Sequence, residues 1–375
     1  MSASFPEEGK TPVDRSAAKG VGYLPTLDGW RALAILCVMV AHGQVFLPWP
    51  VVRHIFDMAG QRGVELFFAL SGLLISGLLL REEERTGGIS LRGFYLRRLF
   101  RIQPAAFTYL FFIAVASIVG FVPQFWSGIF GAVFMVRNFW PKNIGPGYWF
   151  TSHFWTLSVE EHFYLFLPAF LVVFRRRRLL LLISMFVLQA VWIVQVMHHP
   201  VLQQFGQNYP LRTDIRFGPI LLGCVAAFLL NLPQWKERAV QLLPPWVAVM
   251  YCAIVFWRLE THHSTYDGIL LSTVYPLLLV STLLHPQSFL GRFLEWSPLR
   301  FVGRISFSLY LWQQFFFIWD SPPLPGQFRS HWAVCGVLTF VCATVSYYWV
   351  EQPMMRLGHR VGARYRRPAR MEATV

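Results

Sequence analysis

The chain has 375 residues, of which 55% are hydrophobic, 17% aromatic and only 14% charged, with a formal net charge of +14. A soluble domain carries about a quarter charged residues, so this composition, with a mean hydropathy of +0.45, excludes an ordinary soluble domain and points to a membrane protein. The five cysteines (Cys37, Cys224, Cys252, Cys335 and Cys342) lie in apolar stretches with no CxxC pair, which argues against a disulfide framework and against a metal site.

Residues 1–22 are polar, with Pro, Ser and mixed charge and no apolar signal-peptide core. They read as a disordered cytoplasmic tail. One membrane domain is predicted over 23–353 and a basic cytoplasmic tail over 354–375. Apolar stretches of spanning length fall near 30–48, 63–80, 104–123, 154–174, 179–197, 214–230, 241–257, 268–284, 301–319 and 332–350. They predict an all-α polytopic membrane helix bundle of about ten transmembrane helices. With the N-terminus inside, the basic clusters Arg81 to Arg101, Arg175 to Arg178, Lys236/Arg238, Arg292/Arg300/Arg304 and Arg356 to Arg370 all face the cytoplasm, as the positive-inside rule requires. A crossing over 125–139 would put Arg175 to Arg178 outside. That segment is therefore predicted as a re-entrant or surface helix on the outer side, leading into the loop Pro141–Trp149. The Arg175–Arg178 run itself reads as a topology anchor.

Arg31 and His42 share the first stretch. Eleven residues come to about three helical turns, so both side chains lie on one face, about 16 Å apart along the axis. In a hydrocarbon core about 30 Å thick, the Arg then sits at the membrane surface and the His near mid-depth. An ionisable residue there is costly, and a functional role is the default reading. Glu65 lies just inside the second stretch. Glu160 and Glu161 lie in the fourth, about 9 Å below the outer surface, against about 14 Å for His42. A carboxylate bonded to one ring nitrogen would fix the imidazole tautomer and leave the other nitrogen basic. The structural alternative for both carboxylates is an ion pair with Arg137 or Arg212. Arg98 and Arg101, at i and i+3 near the start of the third stretch, are neighbours on a helix and suit a polyanionic phosphate. Topology alone is the alternative for them.

Five blocks, in order, carry a family resemblance: Leu27–Ile35 with its Arg-x10-His spacing, Gly63–Gly72, Phe94–Pro104, His153–Tyr164 and Ile305–Trp312. Together they resemble the acyltransferase 3 family of bacterial multi-pass membrane O-acyltransferases, from Leu27 to about Pro353. The resemblance implies transfer of an acyl group, usually acetyl, from acyl-CoA to a hydroxyl of a carbohydrate, glycolipid or small-molecule acceptor. It implies His42 as the base, with Glu160 or Glu161 as the orienter argued above, and Arg31, Arg98 and Arg101 at the donor. Glu65, His153, Trp155 and Tyr310, which stand in these blocks, are assigned to the acceptor. No metal and no nucleic acid are expected, and the location implied is the bacterial cytoplasmic (inner) membrane. Two departures stand out: Gln313 follows Tyr310-Leu-Trp where many members have His, and Glu161-His162 replaces a common Glu-Gln. The chain stops short of the C-terminal hydrolase-like domain of some members, so a standalone form is expected. A neutral imidazole suits the chemistry, because a hydroxyl is a poor nucleophile without a base. The rival reading is a transporter or flippase for a glycolipid or sugar, using the same buried charges as a relay.

Overall fold

The structure is a computed structural model that describes residues 24–43, 50–139, 147–199, 201–202, 209–257, 265–317 and 332–365. The tail expected over 1–22 and most of the loop over 141–149 lie outside those residues. The order of helices is α1 (Pro25–Gly43), α2 (Pro50–Thr86), α3 (Leu91–Ile118), α4 (Trp126–Val133), α5 (Trp149–Ser152), α6 (Phe154–Val173), α7 (Arg178–His198), α8 (Thr213–Arg216) and α9 (Gly218–Leu230). There follow α10 (Pro233–Leu242), α11 (Pro245–Trp257), α12 (Thr265–Leu284), α13 (Phe289–Leu294), α14 (Ser297–Arg304), α15 (Ser306–Phe316), α16 (Trp332–Ser346), a π-helical turn Tyr347–Glu351 and α17 (Gln352–Ala363). No strand occurs among the described residues.

Six helical segments among them are long and apolar enough to cross a membrane: Met58–Thr86, Leu91–Ile118, Trp149–Val173, Arg178–His198, Asp267–Leu284 and Ala333–Ala363. The count of about ten is not confirmed among the described residues. Pro233 stops α9, and α10 leaves it at 110°, so the pair makes at most a seventh span. The segment expected over 301–319 is broken at Ile305 between α14 and α15 and then runs outside the described residues. The segment 125–139, expected as a re-entrant or surface helix and not among the ten, holds the eight residues of α4, about 12 Å of rise and too short to cross, and a 3-10 turn at Arg137–Phe139. The tail expected from 354 begins as α17, where Gly358 and Gly362 lie against Phe100 and Arg97 of α3.

Helices in an apolar solvent are held by close backbone approach rather than by burial from water, so small residues mark the contacts. A Cβ on Gly63 of α2 would stand 2.5 Å from Ala34 O of α1. A Cβ on Gly72 of α2 would stand 2.0 Å from Ile220 O, and one on Gly223 2.4 Å from Ala69 O, which locks α2 to α9. Gly303 meets Asp28 O at 1.8 Å on the same test, so α14 sits directly on the start of α1. The opposite faces are apolar and open: Phe111, Leu165, Leu188 and Val337 are all exposed, as the lipid side of a bundle should be.

Candidate functional site

A cavity of about 330 Å³ is walled by α1, α2, α3, α6 and α15, and its polar lining includes Arg31, Arg98, Arg101, Glu160, Glu161 and Tyr310. The i, i+3 spacing of Arg98 and Arg101 does bring both guanidinium groups to one wall. Nearer the end where α2 meets α3 lies a second cavity of about 260 Å³, lined by Arg81, Arg85, Arg97, Arg98, Arg101 and His359 among others. Arg98 and Arg101 belong to both linings. Five arginines therefore surround the second space, and Arg97 is engaged with Glu82 at 2.8 Å.

Inside the first cavity, Glu160 accepts from Ser71 Oγ at 2.8 Å and from Tyr164 Oη at 3.1 Å. The Arg98 guanidinium lies 5.0 Å above the Tyr164 ring, a cation–π contact that holds it beside Glu160. The buried Oε1 of Glu161 has no hydrogen-bond partner. Arg31 is within electrostatic reach of Arg101, Asp28 and Glu351. Glu351, only 1% exposed, accepts from Ser308 at 2.9 Å and also faces Arg101. It is carried by the π-helical turn; such turns re-aim one side chain off the α-helical register. The sequence signal for Glu351 was a lone carboxylate closing an apolar run, and sequence reasoning passed over it.

The rest of the first stretch, expected to run to 48, lies outside the described residues; His42 lies in the last turn of α1 as described, Pro25–Gly43. Its Nδ1 is 2.5 Å from Oε1 of Gln313, and its ring meets Trp149 edge-on at 5.1 Å. The expected Glu160–His42 bond is not formed: Glu160 turns toward α2, and the imidazole is bonded to an amide from α15. Nor do the carboxylates pair with Arg137 or Arg212. Arg212 bridges to Asp214 at 2.9 Å. Arg137 is boxed by the rings of Tyr148 at 4.4 Å and Phe125 at 5.5 Å and donates to Thr151 at 3.3 Å. Burial lowers Arg137 below its usual range and raises the Tyr148 hydroxyl, each partly offset by the other's presence.

The four acceptor positions separate. His153 is 3% exposed, sits among the rings of Tyr109, Phe154 and Tyr310, and has neither ring nitrogen hydrogen-bonded. It lies within electrostatic reach of His42. Tyr310 lines the Arg31 cavity, but its hydroxyl is bonded to Thr156 at 2.6 Å and donates to His153 O at 3.0 Å. Glu65 is elsewhere, in a third cavity of about 240 Å³ with Arg62, Arg216 and Asp267. It is bonded to Gln61, Arg62 and Tyr275 at 3.0–3.1 Å and faces Arg216 at 3.6 Å. Trp155 stacks under Arg216 at 5.7 Å and meets Phe68 edge-on, so it belongs to that neighbourhood as well. Among the described residues no group of His, Cys, Asp and Glu could hold a metal ion.

A helical membrane bundle with a cationic double cavity and a histidine at the far end of the helix that brings Arg31 to it is the class of protein these residues define. The family model described as "Acyltransferase domain" matches residues 24–348, and the chain belongs to this acyltransferase 3 family. It is 28% identical to the peptidoglycan O-acetyltransferase OatA of Listeria monocytogenes over 366 residues, 90% of this chain and 56% of that protein. The putative peptidoglycan O-acetyltransferase YrhL of Bacillus subtilis is 28% identical over 90% of this chain and 56% of its own. A putative O-acetyltransferase of Staphylococcus aureus is 28% identical over 91% of this chain and 58% of its own. The chain thus spans little more than half the length of these relatives. No solved structure matches it.

Proposed function

We propose that this protein is a membrane O-acyltransferase that moves an acyl group, acetyl in the simplest case, from acyl-CoA to a hydroxyl of a carbohydrate acceptor. The observation that carries the reading is the pair of adjoining cavities with Arg98 and Arg101 on their shared wall. A donor with phosphates at one end and a long flexible arm at the other fits such a space. The arginines of the second cavity take the phosphates bidentately, and the arm runs past Arg31 and Tyr310 toward His42. Glu160 then acts as counter-charge to Arg98 rather than as orienter of the base. Glu161, with one oxygen unpartnered, is left to meet the donor.

His42 removes the proton from the acceptor hydroxyl as its oxygen attacks the thioester carbonyl. When the carbon–sulfur bond breaks, the thiolate takes that proton and leaves as free CoA. His153, buried beside His42 with both nitrogens open, is the donor group for an acceptor hydroxyl or for the developing oxyanion. Glu65, in the third cavity, and Trp155, against Arg216 beside it, hold a more distant part of a carbohydrate chain. The names of the relatives favour a cell-wall carbohydrate. The location proposed is the bacterial inner membrane, with both termini and the Arg-rich cavity in the cytoplasm, where CoA is made, and α4 on the outer side.

The test is acetyl-CoA turnover by the purified chain, with and without soluble peptidoglycan fragments, followed by mass spectrometry of the fragments. Transfer should be seen in the wild type and should fall about 10²–10⁴-fold in His42→Ala, the usual effect of losing a general base. Activity of that variant within tenfold of wild type, on the order of 1.4 kcal/mol, would sink the base assignment.

A further inference from the structure

We infer that Gln313 is a positioning residue that holds His42 as the Nδ1–H tautomer, so that Nε2 is the nitrogen that takes the proton. The inference rests on His42 being the base proposed above; the assignment of the nitrogen and of its keeper is additional to that reading.

An amide has a donating and an accepting end, and its orientation is known only if fixed neighbours dictate it. Here backbone carbonyls dictate it. Gln314 Nε2 donates to Trp149 O and to Ser152 Oγ, both at 2.9 Å. Its Oε1 is therefore turned toward Gln313, whose Nε2 donates to it at 3.2 Å and to Tyr310 O at 3.4 Å. Flipping Gln313 would set its oxygen against two acceptors. Flipping both amides would set Gln314 Oε1 against the Trp149 carbonyl, which cannot turn. The remaining atom, Gln313 Oε1, faces His42 Nδ1 at 2.5 Å. A carbonyl oxygen only accepts, so Nδ1 must carry the hydrogen and the lone pair of the neutral ring is on Nε2.

The scaffold around this chain of amides is closed. Gln313 is 0% and Gln314 1% exposed, so water does not compete for either. The Trp149 indole donates to Gln314 O at 3.0 Å, and the same ring meets the imidazole edge-on at 5.1 Å. One short helix, α5, and one face of α15 thus fix both the plane and the tautomer of the base. His153 from the start of α6 is the titratable neighbour that the described contacts place near the ring. Gln313 does not line the donor cavity, so its substitution should not disturb acyl-CoA.

The experiment compares Gln313→Met, Gln313→Glu and His42→Ala in the full chain, reading kcat and KM for acetyl-CoA turnover to free CoA across pH, with CoA titration as the folding control. Gln313→Met keeps the volume and loses the acceptor; kcat should fall about tenfold or more, with KM and CoA affinity unchanged. Gln313→Glu places a carboxylate on Nδ1–H, which favours the charged ring. The neutral base then appears only at higher pH, and the acid limb of the kcat profile should rise by about one pH unit or more. Either variant alone decides. A wild-type kcat in Gln313→Met, or an unmoved limb in Gln313→Glu, overturns the inference while His42→Ala remains inactive. An active His42→Ala instead overturns the base reading itself.

Discussion

Arg98→Ala and Arg101→Ala test the donor site directly, because the two guanidinium groups stand on the wall that both cavities share. A hydrogen bond to a charged group is worth about 1.5–3 kcal/mol, so each truncation should weaken CoA binding roughly ten- to hundredfold. Neither loss should unfold the site. Glu160 keeps Ser71 and Tyr164 after Arg98 is removed, and Glu351 keeps Ser308 after Arg101 is removed. Arg98→Lys should recover part of the affinity, since the charge returns without the planar fork. Calorimetric titration with CoA and with pantetheine, which lacks the phosphates, separates the ends of the donor. The variants should lose CoA affinity and bind pantetheine like the wild type. Added salt should shrink the difference, as it does for partly exposed charges. Unchanged CoA affinity in both variants, or an equal loss with pantetheine, would refute the phosphate-clamp reasoning and reduce the pair to a topology signal.

Glu83→Ala should destabilise the bundle by about 3–5 kcal/mol, the cost of leaving a buried partner uncompensated. Arg178 is 7% exposed and forks onto both oxygens of Glu83, whereas the exposed Arg176 nearby should be replaceable by Ala at little cost; thermal unfolding in detergent reads both. Topology is checked with single cysteines in a Cys-free background at Gln287, beyond α12, and His199, beyond α7. A membrane-impermeant thiol reagent on intact cells should label the second and spare the first, and the reverse would put the arginine cavity where CoA is absent.

Much of the arginine cluster proposed as the donor site was legible because it depends on local geometry. Arg98 and Arg101 are three residues apart on one helix, and any helix there brings them together. The small residues Gly63 and Gly72 fall in an apolar run and mark where α2 meets α1 and α9. The Arg175–Arg178 run was only half legible. Its charge says which side of a membrane it prefers, yet Arg175 and Arg178 are also tied to Glu83, 95 residues before the latter. No periodicity announces a partner at that distance. Helix ends were the weakest point: the break at Ile305 divides a stretch that hydropathy reads as continuous, and the bend after Leu230 turns the chain where a straight span was expected.

The partner of His42 shows where such reasoning stops. Rise per residue gives depth along a helix, and Glu160 and His42 were matched on depth alone. Whether two side chains meet also depends on which way each helix faces, and that is set by packing between distant segments. Glu160 and Tyr164, four residues apart, share the face of α6 that turns to Ser71. The other side of the space is closed by α15, whose polar residues near His42 are uncharged amides. A carboxylate at Nδ1 would favour the imidazolium, whereas a carboxamide sets the tautomer without adding charge. An amide therefore supplies orientation and leaves the ring neutral, which is the state a general base must start from. The one clue in the chain was the Gln at 313 where many family members carry His, and its meaning needed the three-dimensional neighbours.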